Sequence, residues 1–208
     1  MRLILVRHGR TNSNVTLRLD TAYPGADLDS DGLEQAASLV ERLSHHPIEA
    51  IYTSNLVRTQ QTARPVAEHR GLELQVLPGL REISAGDEEM RAYAPGETSQ
   101  YLATMVAWGS GHPEARVPGG EDLQEVLDRF DDAIATVAAS GHEVVMVVSH
   151  GAALRVWSYA RVAGFPQAIG AAHLDNTGVI VADGSPEDGW TLAHLEGVRS
   201  HDAESANA

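Results

Sequence analysis

Three residues near the start of the chain place a nucleophile beside a cation. Arg7, His8 and Gly9 directly follow Leu3–Val6, an apolar run whose length and composition predict a buried strand. The glycine lets the backbone turn sharply where that strand ends. An imidazole that can attack as a nucleophile, next to a guanidinium that can bind a phosphate, indicates phosphoryl chemistry.

A second histidine is presented in the same way later in the chain. Val144–Ser149 is apolar on both faces, as a central parallel strand should be, and it leads into His150 and Gly151. The glycine is predicted to begin a helix, where backbone N–H groups and the helix dipole favour anions. Ligands of open α/β folds bind at the carboxyl ends of the strands, so we expect His8 and His150 at one edge of the sheet.

An arginine and a glutamate are expected at the same edge. The predicted strand Ala50–Thr53 is followed by Ser54, which we interpret as a helix N-cap. That cap places Arg58 in the first turn of a helix, with its guanidinium directed back toward the strand ends. Glu82 is an isolated carboxylate that precedes a segment rich in proline and glycine.

Composition excludes several classes of protein. The 208 residues include no cysteine and no lysine, which excludes disulfides, thiolate metal sites, cysteine nucleophiles, lysine Schiff bases and a Walker-type phosphate loop. The formal net charge of −14 argues against a partner that is a nucleic acid or an anionic membrane surface. No apolar stretch has transmembrane length and the start lacks a signal-peptide pattern, so we expect a cytoplasmic protein.

The alternation of strand and helix patterns predicts an α/β fold with three layers, in which helices cover both faces of a mostly parallel sheet. We expect one domain over residues 1–199, with a lid or specificity excursion at 84–120, and a disordered tail at 200–208. The predicted strands are Leu3–Val6, Ala50–Thr53, Leu72–Leu77, Glu143–Ser149, Gly178–Ala182 and Trp190–Leu195, the last two as a hairpin. The predicted helices include Asp31–Leu43, with Asp31 and Glu34 as a capping pair, Ser99–Trp108 and Glu121–Ala139.

Taken in order, these segments resemble the histidine phosphatase superfamily, also called the phosphoglycerate mutase-like family. The resemblance runs from Leu3 to about Val181. It is carried by Leu5-Val6-Arg7-His8-Gly9, Asn14, Leu28 with Gly32 and Gln35-Ala36, Ser54 to Arg58 with Gln61-Thr62-Ala63, Leu80-Arg81-Glu82, Gly119-Gly120-Glu121, Val148 to Gly151, and Asn176-Thr177.

The resemblance implies a role for each matching residue. His8 would be the nucleophile that forms a phosphohistidine, with its second ring N–H bound by an acceptor and with neighbouring positive charges keeping it neutral. Glu82 would be the general acid for the leaving alkoxide, and His150 also counts among the catalytic residues. The phosphate-binding set would be Arg7, Asn14, Arg58, His150 and Gly151.

The expected rim of the substrate site comprises Arg10, Tyr23 and Arg81. Arg10 stands where many members of the family have glutamate, which predicts a more basic rim beside His8. The run Gly86–Met90 also lacks the aromatic residue and second glycine that the family often has after the glutamate. No metal and no cofactor is expected.

Three functions remain open at this point. The first is a metal-independent phosphomonoesterase that acts on a small phosphorylated metabolite, in which water resolves the phosphohistidine. The second is a cofactor-dependent phosphoglycerate mutase, although residues 83–120 contain only Arg91 and Arg116 as cations. The third is a phospho-ligand binder without catalysis, which would require loss of His8 or of the phosphate clamp. Assembly as a homodimer is a further expectation.

Overall fold

The computed structural model describes residues 1–93, 99–166 and 172–200. In these ranges seven strands form one sheet: β1 (Arg2–Arg7), β2 (Ala50–Thr53), β3 (Leu74–Val76), β4 (Val144–Ser149), β5 (Val162–Ala163), β6 (Ala172–Ser185) and β7 (Gly189–Ser200). Their order across the sheet is β3-β2-β4-β1-β6-β7-β5. Of the tail predicted at 200–208, Ser200 belongs to β7, and residues 201–208 lie outside the described residues.

Four neighbouring strands, β3, β2, β4 and β1, run parallel to one another. β6 runs antiparallel to β1 and forms an antiparallel hairpin with β7, while the short β5 is parallel to β7. The predicted hairpin is confirmed, and both of its strands are considerably longer than the apolar runs indicated. The additional residues include polar ones, because backbone pairing holds the outer parts of the hairpin and no apolar core is needed there.

The described residues include six α-helices: α1 (Asn12–Val15), α2 (Ser30–Arg42), α3 (Val57–Arg70), α4 (Gln100–Gly109), α5 (Leu123–Ala139) and α6 (Gly151–Arg161). α2 and α3 pack on one face of the sheet, and α4, α5 and α6 pack on the other. The three-layer α/β architecture with a mostly parallel sheet is therefore confirmed. Within the described ranges, the helices are too short or too polar to cross a lipid bilayer.

β1 shows why the strand patterns are continuously apolar. Leu3 and Leu5 face the core under α4, α5 and α6, whereas Ile4 and Val6 face the core under α2 and α3. All four side chains are fully buried, and each contributes about 1.5–3 kcal/mol of hydrophobic stabilisation. A strand with a core on both faces has no polar side, so its sequence does not alternate.

Two helix starts differ from the predictions. α2 is capped two residues before the predicted capping pair, because Asp29 is its N-cap and accepts a hydrogen bond from the Gly32 N–H. α3 begins after Leu56, so Ser54 is not its N-cap as predicted. The Ser54 hydroxyl is instead buried and binds other groups at the strand ends.

The excursion at 84–120 is anchored by two glutamates. Glu88 is buried and accepts hydrogen bonds from the N–H groups of Gln100 and Tyr101 at the start of α4. Glu89 accepts from the N–H groups of Thr21 and Ala22. Glu88 therefore joins two parts of the excursion, and Glu89 attaches the excursion to the loop that follows α1. Residues 94–98 of the excursion lie outside the described ranges.

The loop after β1 is held by a close backbone contact. A Cβ added at Gly9 would lie 2.7 Å from the carbonyl oxygen of Gly32, and one added at Gly32 would collide with the carbonyl oxygen of Arg10. The first turn of α2 therefore packs directly on the backbone that carries His8, and only glycine leaves room for it.

This contact predicts the effect of one methyl group. Gly32→Ala should lower the free energy of unfolding by about 1–3 kcal/mol, because neither backbone segment can give way. Gly109→Ala is the matched control, since a Cβ there meets nothing within 4 Å. Urea unfolding of the two variants checks the prediction, and equal stabilities would contradict it.

Candidate active site

The two predicted histidines lie side by side at the carboxyl edge of the sheet. Arg7 of β1 is paired with Ser149 of β4, so His8 and His150 leave adjacent parallel strands at the same level. Their ring centroids are 5.2 Å apart. His8 is 3% exposed and His150 is fully buried.

His8 is oriented through one ring nitrogen. Its Nδ1 lies 2.7 Å from the carbonyl oxygen of Gly9. Because a carbonyl only accepts, Nδ1 must carry the proton in the neutral ring, and Nε2 presents a lone pair. Burial lowers the pKa of His8 well below 6.5, and the positive charges of Arg58 and Arg7 lower it further. The geometry therefore presents a neutral imidazole with its Nε2 available for attack.

Arg7 is buried, and its guanidinium is held in place through one nitrogen, Nη1. Its Nη1 donates to the carbonyl oxygen of Leu174, at 2.5 Å, and lies 3.2 Å from His173 Nε2. Its Nε is buried and makes no hydrogen bond to any residue that the structure describes. Burial lowers the pKa of Arg7 to about 10, so the group stays charged at neutral pH. A Cβ at Gly151 would lie 3.0 Å from this Nε, so the glycine leaves room for the guanidinium beside the start of α6.

Arg58 approaches from α3 and is anchored by the loop before α2. Its Nη2 donates to the backbone oxygen of Asp20 at 2.8 Å, and its Nη1 lies 3.6 Å from Asp20 Oδ1. Nη1 makes no hydrogen bond within the described part of the chain. Burial lowers the pKa of Arg58, and the Asp20 carboxylate opposes that shift. Gly25, at φ +74°, leaves the space that Nη1 fills.

His150 is bound through the opposite nitrogen from His8. Its Nε2 lies 2.8 Å from the Ser54 hydroxyl, whereas its Nδ1 is buried and has no hydrogen-bond partner among the described residues. Burial lowers the pKa of His150 well below 6.5, and Arg58 is the largest charge that adds to this. Three residues close to His8 thus keep an unsatisfied buried nitrogen: Arg7 Nε, Arg58 Nη1 and His150 Nδ1. Buried polar groups are normally satisfied, so this set indicates a polar ligand.

Glu82 belongs to the loop after β3, and its side chain contacts the start of α6. Its carboxylate accepts hydrogen bonds from the N–H groups of Ala153, at 2.9 Å, and Ala152, at 3.2 Å. The sequence interpretation offered these helix N–H groups to a bound anion, but the protein's own glutamate binds them. Arg129 of α5 fixes the preceding loop, because it donates to the carbonyl oxygens of Gly79, Arg81 and Glu82.

Asn14 lies on α1 beside the backbone of His8. Its Oδ1 accepts hydrogen bonds from the Thr11 N–H and from Asn176 Nδ2, which also donates to the His8 carbonyl oxygen. The oxygen of Asn14 is therefore committed within the protein. Its Nδ2 is the atom that could donate to a ligand.

The three expected rim residues differ in their contacts. Arg10 pairs with Asp29 and Asp31, at 2.8 and 2.6 Å, so its charge is offset at the start of α2. Arg81 donates to Glu121, at 2.6 Å. Tyr23 is 72% exposed on the loop that also contains Asp20. The more basic rim expected from Arg10 is therefore largely neutralised.

Several residues at this site were not identified from the sequence. They are Asp20, Ser54 as a partner of His150, Arg129, and Arg155, whose Nε donates to the Gly151 carbonyl oxygen at 3.1 Å. Burial lowers the pKa of Arg155, and the nearby Glu82 carboxylate opposes that shift. Arg155 lies four positions after Gly151 on α6, about one helical turn, and that spacing was the one signal available for it.

Comparison with proteins of known sequence identifies related phosphatases and mutases. The adenosylcobalamin/alpha-ribazole phosphatase of Escherichia coli is 34% identical over 170 residues, which cover 80% of this chain and 81% of that protein. The probable phosphoglycerate mutase GpmB of Proteus mirabilis is 34% identical over 155 residues, which cover 74% of this chain and 71% of that protein. A PE-PGRS family protein of Mycobacterium tuberculosis, PE_PGRS11, is 35% identical over 93% of this chain, which matches only 36% of that longer protein.

Solved structures agree with this grouping. A mycobacterial glucosyl-3-phosphoglycerate phosphatase in complex with vanadate superposes with a TM-score of 0.78 at 27% identity, covering 94% of this chain and 98% of that one. The same phosphatase with inorganic phosphate superposes with a TM-score of 0.73 at 25% identity, covering 94% and 96%. A family model described as the histidine phosphatase superfamily, branch 1, matches residues 3–196. Because that match spans nearly the whole chain, the protein belongs to branch 1 of the histidine phosphatase superfamily.

Proposed function

We propose that the protein is a metal-independent phosphomonoesterase that hydrolyses a small phosphorylated metabolite through a phosphohistidine on His8. One observation carries the proposal: the Nε2 of His8 is the free nitrogen of a buried neutral imidazole, and the two arginines whose charges act on His8, Arg7 and Arg58, each keep one unsatisfied buried nitrogen. The related structures with vanadate and phosphate support a phosphoryl ligand. The relatives named as alpha-ribazole and glucosyl-3-phosphoglycerate phosphatases support a small metabolite as substrate.

The first chemical step is attack by His8 Nε2 on phosphorus, with departure of the ester oxygen. Arg7 Nε and Arg58 Nη1 would donate to the equatorial phosphoryl oxygens, where negative charge is spread in the transition state. Because both guanidiniums are already fixed by protein oxygens, they need little reorganisation when the substrate binds. His150 and the Asn14 amide would complete the set of phosphoryl contacts.

Glu82 would protonate the leaving alkoxide and then deprotonate the water that attacks the phosphohistidine. Its position is fixed by the α6 N–H groups on one side and by the Arg129 clamp on the other. The step is balanced without an external reagent. One proton moves to the leaving oxygen, one returns from water, and inorganic phosphate is released.

The alternative function is a phosphoglycerate mutase, and the relative described as a probable mutase keeps it open. A mutase must hold the substrate carboxylate while the phosphoryl group is transferred to a second hydroxyl. Arg91 pairs with Glu88, and Arg116 pairs with Asp122 and Glu125, so the excursion's two cations are both committed within the protein. This favours hydrolysis, although Arg155 adds a cation near Glu82.

The nucleophile is tested by replacing His8. In a panel of phosphorylated metabolites, His8→Gln should reduce phosphate release by at least about 10³-fold, because the covalent route is lost. His45→Gln, on the exposed surface, is the matched control and should keep full activity. EDTA should leave the rate unchanged. Activity that survives His8→Gln, or that EDTA abolishes, would contradict the mechanism, and faster isomerisation of 3-phosphoglycerate than phosphate release would favour the mutase.

The charge state of His8 gives a second test. Because its folded-state pKa lies well below 6.5, His8 should remain neutral as the pH falls through 6.5. The unfolded chain takes up a proton in that range, so this histidine should lower stability by about 1.4 kcal/mol per pH unit below 6.5. An NMR titration of the His8 ring, assigned with His8→Gln, measures the midpoint. A midpoint at or above 6.5 would be inconsistent with the buried, cation-flanked site.

The anchoring of Arg58 gives a third test. Asp20→Asn keeps the backbone oxygen that binds Arg58 but removes the neighbouring negative charge, so the guanidinium should be held less firmly. We expect kcat/KM to fall about tenfold, which equals about 1.4 kcal/mol of transition-state stabilisation. Asp27→Asn is the control, because its carboxylate binds only the exposed Gln61 amide in the described structure. Equal kcat/KM values for the two variants would show that the Asp20 carboxylate does not position Arg58.

A further inference from the structure

A hydroxyl relay of two buried side chains lies behind His150. The Ser54 hydroxyl is 2.8 Å from His150 Nε2 and 3.0 Å from the Thr59 hydroxyl, and it accepts a hydrogen bond from the Leu56 N–H at 3.1 Å. The Thr59 hydroxyl is also 2.8 Å from the carbonyl oxygen of Leu56 and 3.1 Å from that of Ser54. Ser54 and Thr59 are both fully buried, so the proton of each hydroxyl must be used within this group.

The direction of each hydrogen bond follows from the carbonyl. The Leu56 oxygen only accepts, so the Thr59 hydroxyl donates to it. A proton between the two hydroxyl oxygens, which are 3.0 Å apart, must then come from Ser54, and this leaves the Ser54 oxygen as an acceptor. His150 Nε2 therefore carries the proton that lies between it and Ser54.

The reverse arrangement leaves a close contact without a proton. If Ser54 donated to His150 Nε2, Thr59 would have to donate to Ser54. The Thr59 oxygen would then face the Leu56 carbonyl oxygen at 2.8 Å, two acceptors with no hydrogen between them. In a third arrangement Ser54 donates to His150 Nε2 while Thr59 keeps its carbonyl. The two hydroxyl oxygens then lie 3.0 Å apart with no proton between them, and a buried Nδ1–H has no acceptor among the described residues. The first arrangement uses every hydroxyl and ring proton, and it makes Nδ1 of the neutral His150 ring a bare acceptor. That atom is the one with no partner among the described residues.

We propose that Ser54 and Thr59 are positioning residues that hold His150 as the Nε2–H tautomer, so that a phosphoryl dianion binds at Nδ1 only together with one proton. A phosphoryl oxygen and a bare ring nitrogen are both acceptors and would repel each other. With a proton on Nδ1, the ring becomes an imidazolium that donates to the phosphoryl oxygen. The inference rests on the phosphoryl-binding role that the proposed function gives to His150.

The charges around His150 favour a neutral ring without ligand and a protonated ring when the phosphoryl group binds. Arg7 and His8 face the ring from the end of β1, Arg58 from α3 and Arg129 from α5, whereas Glu82 is the carboxylate on the loop after β3. The cations oppose a positive His150 in the ligand-free protein, in line with its lowered pKa. Two negative charges on the phosphoryl group reverse that balance when it binds.

The tautomer itself is tested in the ligand-free protein. Long-range ¹H–¹⁵N NMR spectra distinguish a protonated ring nitrogen from a bare one, and the His150 signals are assigned by comparison with His150→Gln. We expect Nε2 protonated and Nδ1 bare. A protonated Nδ1 in the neutral ring would overturn the inference.

Proton uptake is tested by titration calorimetry with inorganic phosphate at about pH 8, where phosphate is mostly the dianion. The titration is repeated in buffers of different ionisation enthalpy and made on the Glu82→Gln protein, so that this carboxylate cannot be the group that takes up the proton. We expect uptake of about one proton per phosphate, and an apparent Kd that rises about tenfold per pH unit above pH 8. Phosphate binding without proton uptake would overturn the inference and leave the proposed function standing, whereas failure to bind phosphate would contradict both.

Two substitutions test the relay in the same background. Thr59→Val removes the acceptor of the Ser54 hydroxyl with little change of shape, so Ser54 becomes able to donate to Nε2 and Nδ1 takes the proton. Ser54→Ala releases the same constraint, and both variants should lower the uptake to below half a proton by about the same amount. Ser158→Ala, another fully buried serine, is the matched control and should keep the uptake near one. Unchanged uptake in both relay variants would show that Ser54 and Thr59 only fill space.

Discussion

Parallel pairing of β1 with β4 is the constraint on which the site depends. Its register places Arg7 opposite Ser149, so the chain delivers His8 and His150 next to each other as the two strands end. A shift of one residue would turn the side chains of a strand to the other face and separate the two rings. Both strands are buried on both faces, which makes such a shift very unfavourable. The apolar core therefore sets the geometry of the polar site.

The site concentrates positive charge while keeping its histidines neutral. Arg7 and Arg58 are buried and held by protein oxygens, and each keeps one nitrogen without a hydrogen bond in the described structure. Such unsatisfied groups lower the stability of the ligand-free protein. Under the proposed function a phosphoryl ligand would satisfy them, so part of the stability lost in the ligand-free protein would become binding energy for the transition state. The same cations hold the pKa values of His8 and His150 low.

The sequence predicts the framework well because local composition determines it. Continuous apolar runs identify β1, β2 and β4, and the residues that follow each run lie at one edge of the sheet whatever the details of the loops. Helix starts are predicted less well, since several acidic and hydroxyl residues near a start compete for the cap. Asp29 is the cap of α2 rather than Asp31, and Ser54 binds His150 rather than capping α3.

The contacts that tune the site depend on tertiary structure and leave no local signal. Asp20 meets Arg58 across a separation of 38 residues, and Arg129 reaches Glu82 from a helix 47 residues away. The sequence indicates that the N–H groups at the start of α6 are available to a ligand. In the structure the loop after β3 packs against α6, and the Glu82 carboxylate accepts those hydrogen bonds. Such partners are chosen by the packing of whole elements, which residue spacing does not encode.

A crystal structure with vanadate tests the central claim most directly, because vanadate adopts the trigonal bipyramidal geometry of a phosphoryl group in transfer. The account predicts vanadium bonded to His8 Nε2, with its equatorial oxygens within hydrogen-bond distance of Arg7 Nε, Arg58 Nη1 and His150 Nδ1. Vanadate bound away from His8, or bound at this edge with His8 Nε2 turned from the vanadium, would contradict it.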